Sequence, residues 1–231
     1  MANTSAIKDV TAEFIIQQAS PAHFSYAEEI CKMYTESAKQ RGTGIATRTP
    51  EYVTEKMSEG KAIIALHKDG RFAGFSYIET WSHGNYVANS GLIVNPEFRM
   101  HGLGSKVKKA IFELSKEKYP KAKIFGITTS MAVLKMNSDL GYRPVTFSEL
   151  SQDDEFWKGC NSCPNVDILK SKDRKMCLCT GMLYDPTQHE EKKFDIREQF
   201  AKIERWLRMK QYTLLHKLRG DNSDNNQSSS H

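Results

Sequence analysis

Two groups of residues in this sequence have types and spacings that could do chemistry. The first is the segment from Gly91 to Ser105, GLIVNPEFRMHGLGS, in which an apolar strand runs into a loop and then a helix. Backbone N–H groups at a helix N-terminus bind phosphate oxygens, and Gly102 and Gly104 let the backbone approach such a ligand closely. The phosphate motifs GxxxxGK[ST] and GxGxxG are absent. An ordinary glycine-containing turn is the alternative interpretation.

The second group is four cysteines, Cys160, Cys163, Cys177 and Cys179. A CxxC pair followed by a second close pair is typical of tetrahedral zinc, so we predict a structural Zn2+ held by all four thiolates. With four protein ligands, such a metal has no open position for water and is not catalytic. The alternative is that the second pair merely shares one face of a strand. The fifth cysteine, Cys31, is predicted to be a buried helix residue.

Length and composition limit the classes of protein that could carry these groups. The chain has 231 residues, 39% of them hydrophobic, which suffices for one good-sized core and excludes a largely disordered chain. The net charge of +5 suits an anionic substrate or cofactor but is too diffuse to argue for nucleic acid. We predict no membrane span, since no apolar run reaches 18 residues. We expect a cytoplasmic protein with reduced thiols.

Hydrophobic periodicity predicts the elements that position these residues. The predicted strands are 14–16, 61–67, 71–81, 86–94, 122–128, 142–147 and 176–184, and the predicted helices begin after Pro21, at Pro50, near Leu103 and at 130. Asp69-Gly70 between two strands predicts a hairpin, and Thr49 before Pro50 predicts a helix N-cap. A further helix with many basic residues is predicted near the C-terminus. Two copies of the chain could form a homodimer through this helix.

The segment VNPEFRMHGLGS resembles the acetyl-CoA signature of the GNAT N-acetyltransferase superfamily, and the order of strands and helices is similar to that fold. The resemblance implies an α/β (α+β) fold, with a central mixed, twisted sheet of about seven strands flanked by helices. It also implies acetyl-CoA as co-substrate. The implied pyrophosphate site is Arg99, Met100, His101, Gly102, Leu103, Gly104 and Ser105. The implied pantetheine-binding strand contains Leu92, Ile93 and Val94.

A second stretch, residues 124–147, resembles the other half of that signature, in which a helix ends in Gly141-Tyr142. Many members have a tyrosine general acid at the position that Asn137 occupies here, and an asparagine cannot give up a proton near neutral pH. Asn137 could still bind the cofactor, and the alternative is a polar residue of the helix surface.

The pair Thr128-Thr129 and an arginine-bearing loop resemble the acetyltransferase domain of N-acetylglutamate synthases. That likeness implies a small amino acid such as glutamate as acceptor. Arg41, Arg48 and Thr129 are then the candidate substrate-binding residues, since a guanidinium suits a carboxylate. The alternative for each arginine is a solvated loop charge.

Acetylation of an amine also needs a group that removes the amine proton. The candidate bases are Glu79 and His83, near the end of the strand 71–81, where alternation puts Tyr77, Glu79 and Trp81 on one face. A solvent-facing glutamate is the alternative. The other acceptors that we consider are polyamines and peptides. Two other classes remain open, namely a non-catalytic acyl-CoA sensor and a nucleic-acid-binding zinc module.

These observations divide the chain into five parts. We predict a flexible N-terminus (1–11), an acetyltransferase core (12–150) and a cysteine-bearing, zinc-ribbon-like insert with the last strand (151–186). A long C-terminal helix (187–219) and a disordered tail (220–231) follow.

Overall fold

A computed structural model describes residues 13–41, 48–161 and 163–190 of the chain. They fall in a first unit that ends at Pro186 and in the beginning of a second unit that starts at Thr187. The strands are β1 (Phe14–Gln18), β2 (Ala62–His67), β3 (Phe72–Trp81), β4 (Tyr86–Val94), β5 (Lys123–Thr128), β6 (Arg143–Val145) and β7 (Thr180–Tyr184). The helices are α1 (Ala27–Arg41), α2 (Pro50–Ser58), α3 (Leu103–Lys118), α4 (Met131–Asp139), α5 (Asp154–Lys158), α6 (Val166–Ser171) and α7 (Pro186–Glu190).

The strands form one sheet in the order β1-β2-β3-β4-β5-β7-β6. Only β4 and β5 pair in parallel, and every other neighbouring pair is antiparallel. The mixed sheet of about seven strands flanked by helices is therefore confirmed. The predicted C-terminal helix and tail lie outside the described residues beyond Glu190, as does the N-terminus before residue 13. No helix within the described ranges could cross a membrane.

Local signals in the sequence set several element boundaries. The Thr49 hydroxyl accepts a hydrogen bond from the Tyr52 N–H at 3.3 Å, and Pro50 follows as the first residue of α2. This is the predicted N-cap, which satisfies one of the free N–H groups of the first turn. Gly70 adopts a positive φ of 88° between β2 and β3, as the predicted hairpin requires.

Helices cover both faces of the sheet, and side-chain alternation along the strands assigns the residues to each face. On one face, α3 and α4 pack over a core that includes Val87, Val107 and Ile111. On the other face, α1 and α2 cover Phe75 and Tyr77, whereas α5 and α6 cover Phe125 and its neighbours. This second face therefore carries two separate helical layers, one over β2 and β3 and the other over β5 and β7.

A bulge in β4 separates β4 from β5. Between the pairs Tyr77↔Ser90 and Phe75↔Ile93, β4 contains one residue more than β3. Gly91 takes a left-handed φ of 61° there, as expected of the glycine in a G1 bulge. The displaced carbonyls have side-chain partners, since Tyr34 Oη donates to Gly91 O at 2.5 Å and Ser76 Oγ donates to Ser90 O at 2.9 Å.

The ladder between β4 and β5 ends at the pair Ala88↔Phe125. Beyond it β4 continues as far as Val94 beside β3, while β5 continues beside β7 as far as Thr128. The two strands therefore enclose a wedge whose apex lies just after Ala88 and Phe125. Its mouth lies at the loop that leads into α3.

We expect the Gly91→Ala substitution to destabilise the fold by more than ~2 kcal/mol, because a methyl group there would overlap the Tyr77 ring and lie 2.5 Å from Tyr34 Oη. The matched control is Gly70→Ala, where φ is also positive but nothing lies within 4 Å of the added carbon. Backbone strain should lower the free energy of unfolding of that variant by only about 1 kcal/mol. Urea unfolding of both measures the difference, and equal losses would contradict the close packing at the bulge.

Candidate active site

The predicted phosphate loop connects the mouth of the wedge to α3. Arg99 Nε donates to the Val94 carbonyl at 3.2 Å, which folds the loop back on the end of β4. Gly102 precedes the first turn of α3 with φ of 71°, and a Cβ there would meet nothing within 4 Å. The glycine is therefore needed for its backbone conformation, while buried Leu103 fixes the helix to the core.

The remaining loop residues face outward. Met100 is fully exposed with φ of 68°, and Arg99, His101 and Ser105 are exposed as well. The first N–H groups of α3 have no partner within the helix itself, which makes this end of the wedge suited to an anion. Gly104 lies on the side of α4, where a Cβ would be 3.8 Å from Met136 Sδ. α4 therefore borders the wedge beside the loop.

Glu79 lies on β3 in the gap between the two helical layers. Its Oε1 accepts a hydrogen bond from Tyr52 Oη of α2, and its Oε2 accepts one from Ser90 Oγ of β4 at 2.8 Å. Arg48 Nη2 lies 3.9 Å from Oε1. Tyr77 precedes Glu79 on the same face under α1 and α2. A carboxylate, two tyrosines, a serine and a guanidinium therefore meet directly beside the bulge.

Arg48 connects the two tyrosines of this cluster. Its Nε donates to Tyr77 Oη at 2.5 Å, and its guanidinium carbon lies 5.3 Å from the Tyr52 ring centre and 5.6 Å from that of Tyr77. Burial and the charge of Glu79 raise the pKa of both Tyr52 and Tyr77 above the usual value. Both phenols therefore keep their protons, and Tyr52 acts as a permanent donor to Glu79.

Polar side chains also meet at the apex of the wedge, on the opposite face of the sheet. Asn89 Oδ1 accepts hydrogen bonds from Tyr142 Oη at 2.9 Å and from Lys108 Nζ at 3.4 Å. Asn137 of α4 lies under β5, with its Nδ2 3.9 Å from the position of a Cβ on Gly126. Asn137 is 1% exposed, and its Oδ1 has no hydrogen-bond partner among the residues that the structure describes.

Lys108, which follows the phosphate loop in the second turn of α3, is buried. Its side chain is only 2% exposed. Burial lowers the pKa of Lys108 to about 7. Lys108, Ile111 and Ser115 follow helical spacing, and all three are buried. Lys108 therefore lies on the face of α3 that packs on the sheet.

The structure brings some of the other predicted residues together and leaves others apart. Asn137 and the strand residues Leu92, Ile93 and Val94 line or adjoin the wedge, and Arg48 and Glu79 meet beside the bulge. His83 is exposed in the turn after β3. The strand from Tyr86 to Ser90, roughly 13 Å long, separates this turn from the bulge. Thr129 is exposed just after β5. Arg41 ends α1, and its side chain lies outside the described residues.

Tyr52 and Ser90 belong to the Glu79 cluster but are not among the residues predicted from sequence. Alternation along β3 does indicate that Tyr77 and Glu79 share a face. Tyr52 and Ser90 come from other elements, so only the packing of α2 and the pairing of β4 bring them to Glu79.

The four cysteines of the insert are free thiols. Cys160, Cys177 and Cys179 pack against the core beneath α5 and α6. Burial raises the pKa of Cys160 to about 11 and that of Cys179 to about 12, so both are protonated without a metal. Among the described residues, no group of three or more His, Cys, Asp or Glu side chains has the arrangement of a metal site. The described side chains, as they lie without a metal, therefore do not form the predicted zinc site.

Comparison with known proteins finds a family model that matches part of the chain. Residues 28–133 match the family model described as the acetyltransferase (GNAT) family. A search of curated proteins finds no match to the chain. The likeness to solved structures extends over most of the described chain, at low sequence identity.

One similar structure is N-acetylglutamate synthase from Neisseria gonorrhoeae with coenzyme A and N-acetylglutamate, at 16% identity and a TM-score of 0.53, covering 74% of this chain and 35% of the synthase. The chain thus spans about a third of that enzyme. Another is a putative acetyltransferase from Salmonella typhimurium with acetyl-CoA, at 14% identity and a TM-score of 0.52, covering 75% of this chain and 94% of the other. A third is a Mycobacterium tuberculosis protein with CoA, at 13% identity and a TM-score of 0.51, covering 74% and 98%.

The order of the strands, the wedge and the loop into α3 agree with this acetyltransferase match. More particularly, residues 28–133 match an acetyltransferase domain of the GNAT family.

The burial of Lys108 predicts how stability depends on pH. An unfolded lysine titrates near its ordinary value of 10.5, whereas the folded group has a pKa of about 7. Between these values the unfolded state binds the extra proton, so stability falls as the pH falls from 10.5 to 7 and the loss is complete below 7. We expect Lys108→Met to stabilise the protein by several kcal/mol, on the order of 4, at pH 6 and far less near pH 10. Urea unfolding of the wild type and the variant at both pH values tests this prediction. A gain in the free energy of unfolding that does not depend on pH would contradict it.

Proposed function

We propose that the protein transfers the acetyl group of acetyl-CoA to the amine of a small molecule, for which an amino acid such as glutamate is the best candidate. The observation that carries this proposal is the cluster of Glu79 and Arg48 beside the β4 bulge. It places a carboxylate and a guanidinium together, on the face of the sheet opposite α3. An acceptor amino acid has one group of each complementary kind, an amine and a carboxylate.

The cofactor would occupy the wedge. Its phosphates would bind the N–H groups at the start of α3, and its pantetheine arm would run along the unpaired edge of Leu92, Ile93 and Val94. Asn137 has a buried oxygen near that path with no partner in the described part of the chain, which fits an amide N–H donor of the arm. The acetyl group would then face the acceptor through the wedge, in a ternary complex.

Glu79 would take the proton of the attacking amine, directly or through one water. Tyr52 and Ser90 hold its two oxygens by hydrogen bonds, which fixes the direction of the carboxylate. The amine nitrogen then forms a bond to the thioester carbonyl carbon, and the carbon–sulfur bond breaks. Fixed geometry of this kind is a large part of enzymatic rate enhancement.

Arg48 would bind the acceptor carboxylate. Its side chain retains 20% exposure although it contacts Tyr77 and Glu79, so part of the guanidinium still faces the gap. A polyamine or peptide acceptor would gain nothing from this positive charge. A sensor without catalysis would not need the Glu79 arrangement.

The decisive experiment measures thiol release from acetyl-CoA with a panel of amino acids, polyamines and peptides. We expect turnover with acidic amino acids. Glu79→Gln keeps the shape of the side chain and should lower kcat about 10²-fold or more. Arg48→Gln should mainly raise KM for an acidic amino acid and leave KM for acetyl-CoA unchanged. Turnover only with polyamines would overturn the acceptor, and cofactor binding without thiol release from any amine would favour the sensor.

We also propose that the four insert cysteines bind a structural Zn2+. Three of them pack on one core cluster, and Cys179 lies near enough to Cys160, Cys163 and Cys177 for their charges to raise its pKa. Thiolates replace protonated thiols when zinc binds, so the site would close only with the metal present. A cytoplasmic location fits thiols that stay reduced.

Metal analysis of protein purified without added zinc tests this second proposal. We expect about one equivalent of zinc. Cys163→Ser should abolish it and lower the thermal midpoint, whereas Cys31→Ser, as the matched control outside the insert, should retain the metal. A metal-free wild type that takes up no added zinc would refute the proposal.

A further inference from the structure

Lys108 is the most unusual charged residue in the described part of the chain. Its side chain is buried. Among the described residues, the polar or aromatic groups that it contacts are Asn89 Oδ1 at 3.4 Å and the Tyr142 ring at 5.1 Å. Within the described ranges it forms no ion pair. A buried cation without a carboxylate is costly to the fold, so a lysine at this position suggests a role in function.

The position of Lys108 relative to the wedge narrows that role. Asn89, its partner, is the first residue of β4 beyond the last pair with β5. Asn137 lies under Gly126, which is the corresponding first residue of β5. On the face covered by α3 and α4, Lys108 therefore lies beside β4 and Asn137 beside β5, so that the two side chains flank the apex.

The apex is also where the sulfur of a bound coenzyme A would lie. From Val94, next to the phosphate loop, to Asn89 the strand spans five residues, or roughly 17 Å. An extended pantetheine arm has about this reach. With the phosphates at the N-terminus of α3, the arm would bring its sulfur close to Asn89 and hence to Lys108.

Breaking the thioester leaves a negative charge on that sulfur, in a site that the sheet and α3 shield from water. We propose that Lys108 is the group that stabilises and protonates the departing thiolate of coenzyme A. This inference rests on the proposed acetyl transfer and adds a residue to it. Asn137 can donate a hydrogen bond from its amide but has no proton to release, so Lys108 is the acid at the apex.

The proton and electron balance of the step is complete. The acceptor nitrogen bonds to the carbonyl carbon, and the electron pair of the carbon–sulfur bond stays on sulfur. The Lys108 ammonium gives one proton to the sulfur and becomes a neutral amine. The acceptor amine loses its proton through Glu79, and Lys108 regains a proton from solvent once the product leaves.

The groups that face Lys108 agree with this assignment. Lys108 contacts Asn89 and Tyr142. Ser115 lies beyond Asn89, whose Nδ2 donates to Ser115 Oγ, and Tyr184 lies beyond Tyr142. Burial raises the pKa of Tyr142, so that phenol stays neutral and Lys108 is the group there that titrates near neutrality. A thiolate would thus find one cation and no competing anion among the described residues around Lys108.

The test titrates the thiol of bound coenzyme A by its thiolate absorbance in the ultraviolet, with desulfo-coenzyme A as the blank. A neighbouring ammonium stabilises the thiolate, so the bound thiol in the wild type should ionise at least one pH unit below the bound thiol in Lys108→Met. Lys118→Met is the matched control, since it removes an exposed lysine from the far end of α3, and it should behave as the wild type. Equal thiol titrations in the wild type and Lys108→Met would overturn the proposal.

A second measurement covers the case in which Lys108→Met does not bind the cofactor. In the wild type, the NMR titration of the Lys108 side chain should shift to higher pH with coenzyme A and not with desulfo-coenzyme A. No difference between the two ligands would overturn the proposal. Where an acceptor is known, Lys108→Met should also lower kcat about 10²-fold with both KM values kept.

The thiol titration and the NMR titration need no acceptor, so they separate the two proposals. Absence of thiol release with every amine would sink the proposed function while the thiol titration still reports on Lys108. Normal turnover with unchanged thiol titration in Lys108→Met would sink only the role of Lys108.

Discussion

The candidate active site of this protein depends on one extra residue in β4. A sheet whose strands stayed paired along their full length would have no room for a cofactor within its plane. At Gly91 the extra residue turns β4 away from β5, and the left-handed backbone there is available at low cost only to glycine. Tyr34 and Ser76 satisfy the carbonyls that the bulge displaces, so the opening is a stable feature of the fold.

The same opening organises two sites with opposite electrostatics. Above it, on the face of α1 and α2, Glu79 and Arg48 form a polar cluster held by tyrosines. Below it, on the face of α3 and α4, Lys108 and Asn137 are buried with incomplete polar partners. A reaction that removes a proton from one reactant and adds one to another fits this separation, because the two groups do not neutralise each other across the sheet.

Much of the architecture follows from local signals in the sequence. The strand alternation, the Asp69-Gly70 turn, the cap at Thr49 and the glycines of the phosphate loop each have a short-range cause, and the structure contains all of them. The Glu79 cluster could be predicted only in part, since Tyr52 and Ser90 reach Glu79 through packing between distant elements. The burial of Lys108 depends on Asn89 and Tyr142, which are also distant in sequence. The cysteine spacing indicates a metal, but spacing alone does not determine side-chain arrangement.

The strand order has a consequence for how the sheet is completed. Among the described residues, β7 is the last strand in sequence, yet it lies between β5 and β6, and it is the strand with which β6 pairs. During synthesis, β6 therefore has no partner until the segment with α5, α6 and the four cysteines has emerged. That segment is a tether whose compactness governs how quickly the final strand can enter, because closing a longer loose loop costs more entropy. The cysteine-rich insert thus has its earliest effect on assembly of the sheet, before any substrate is bound.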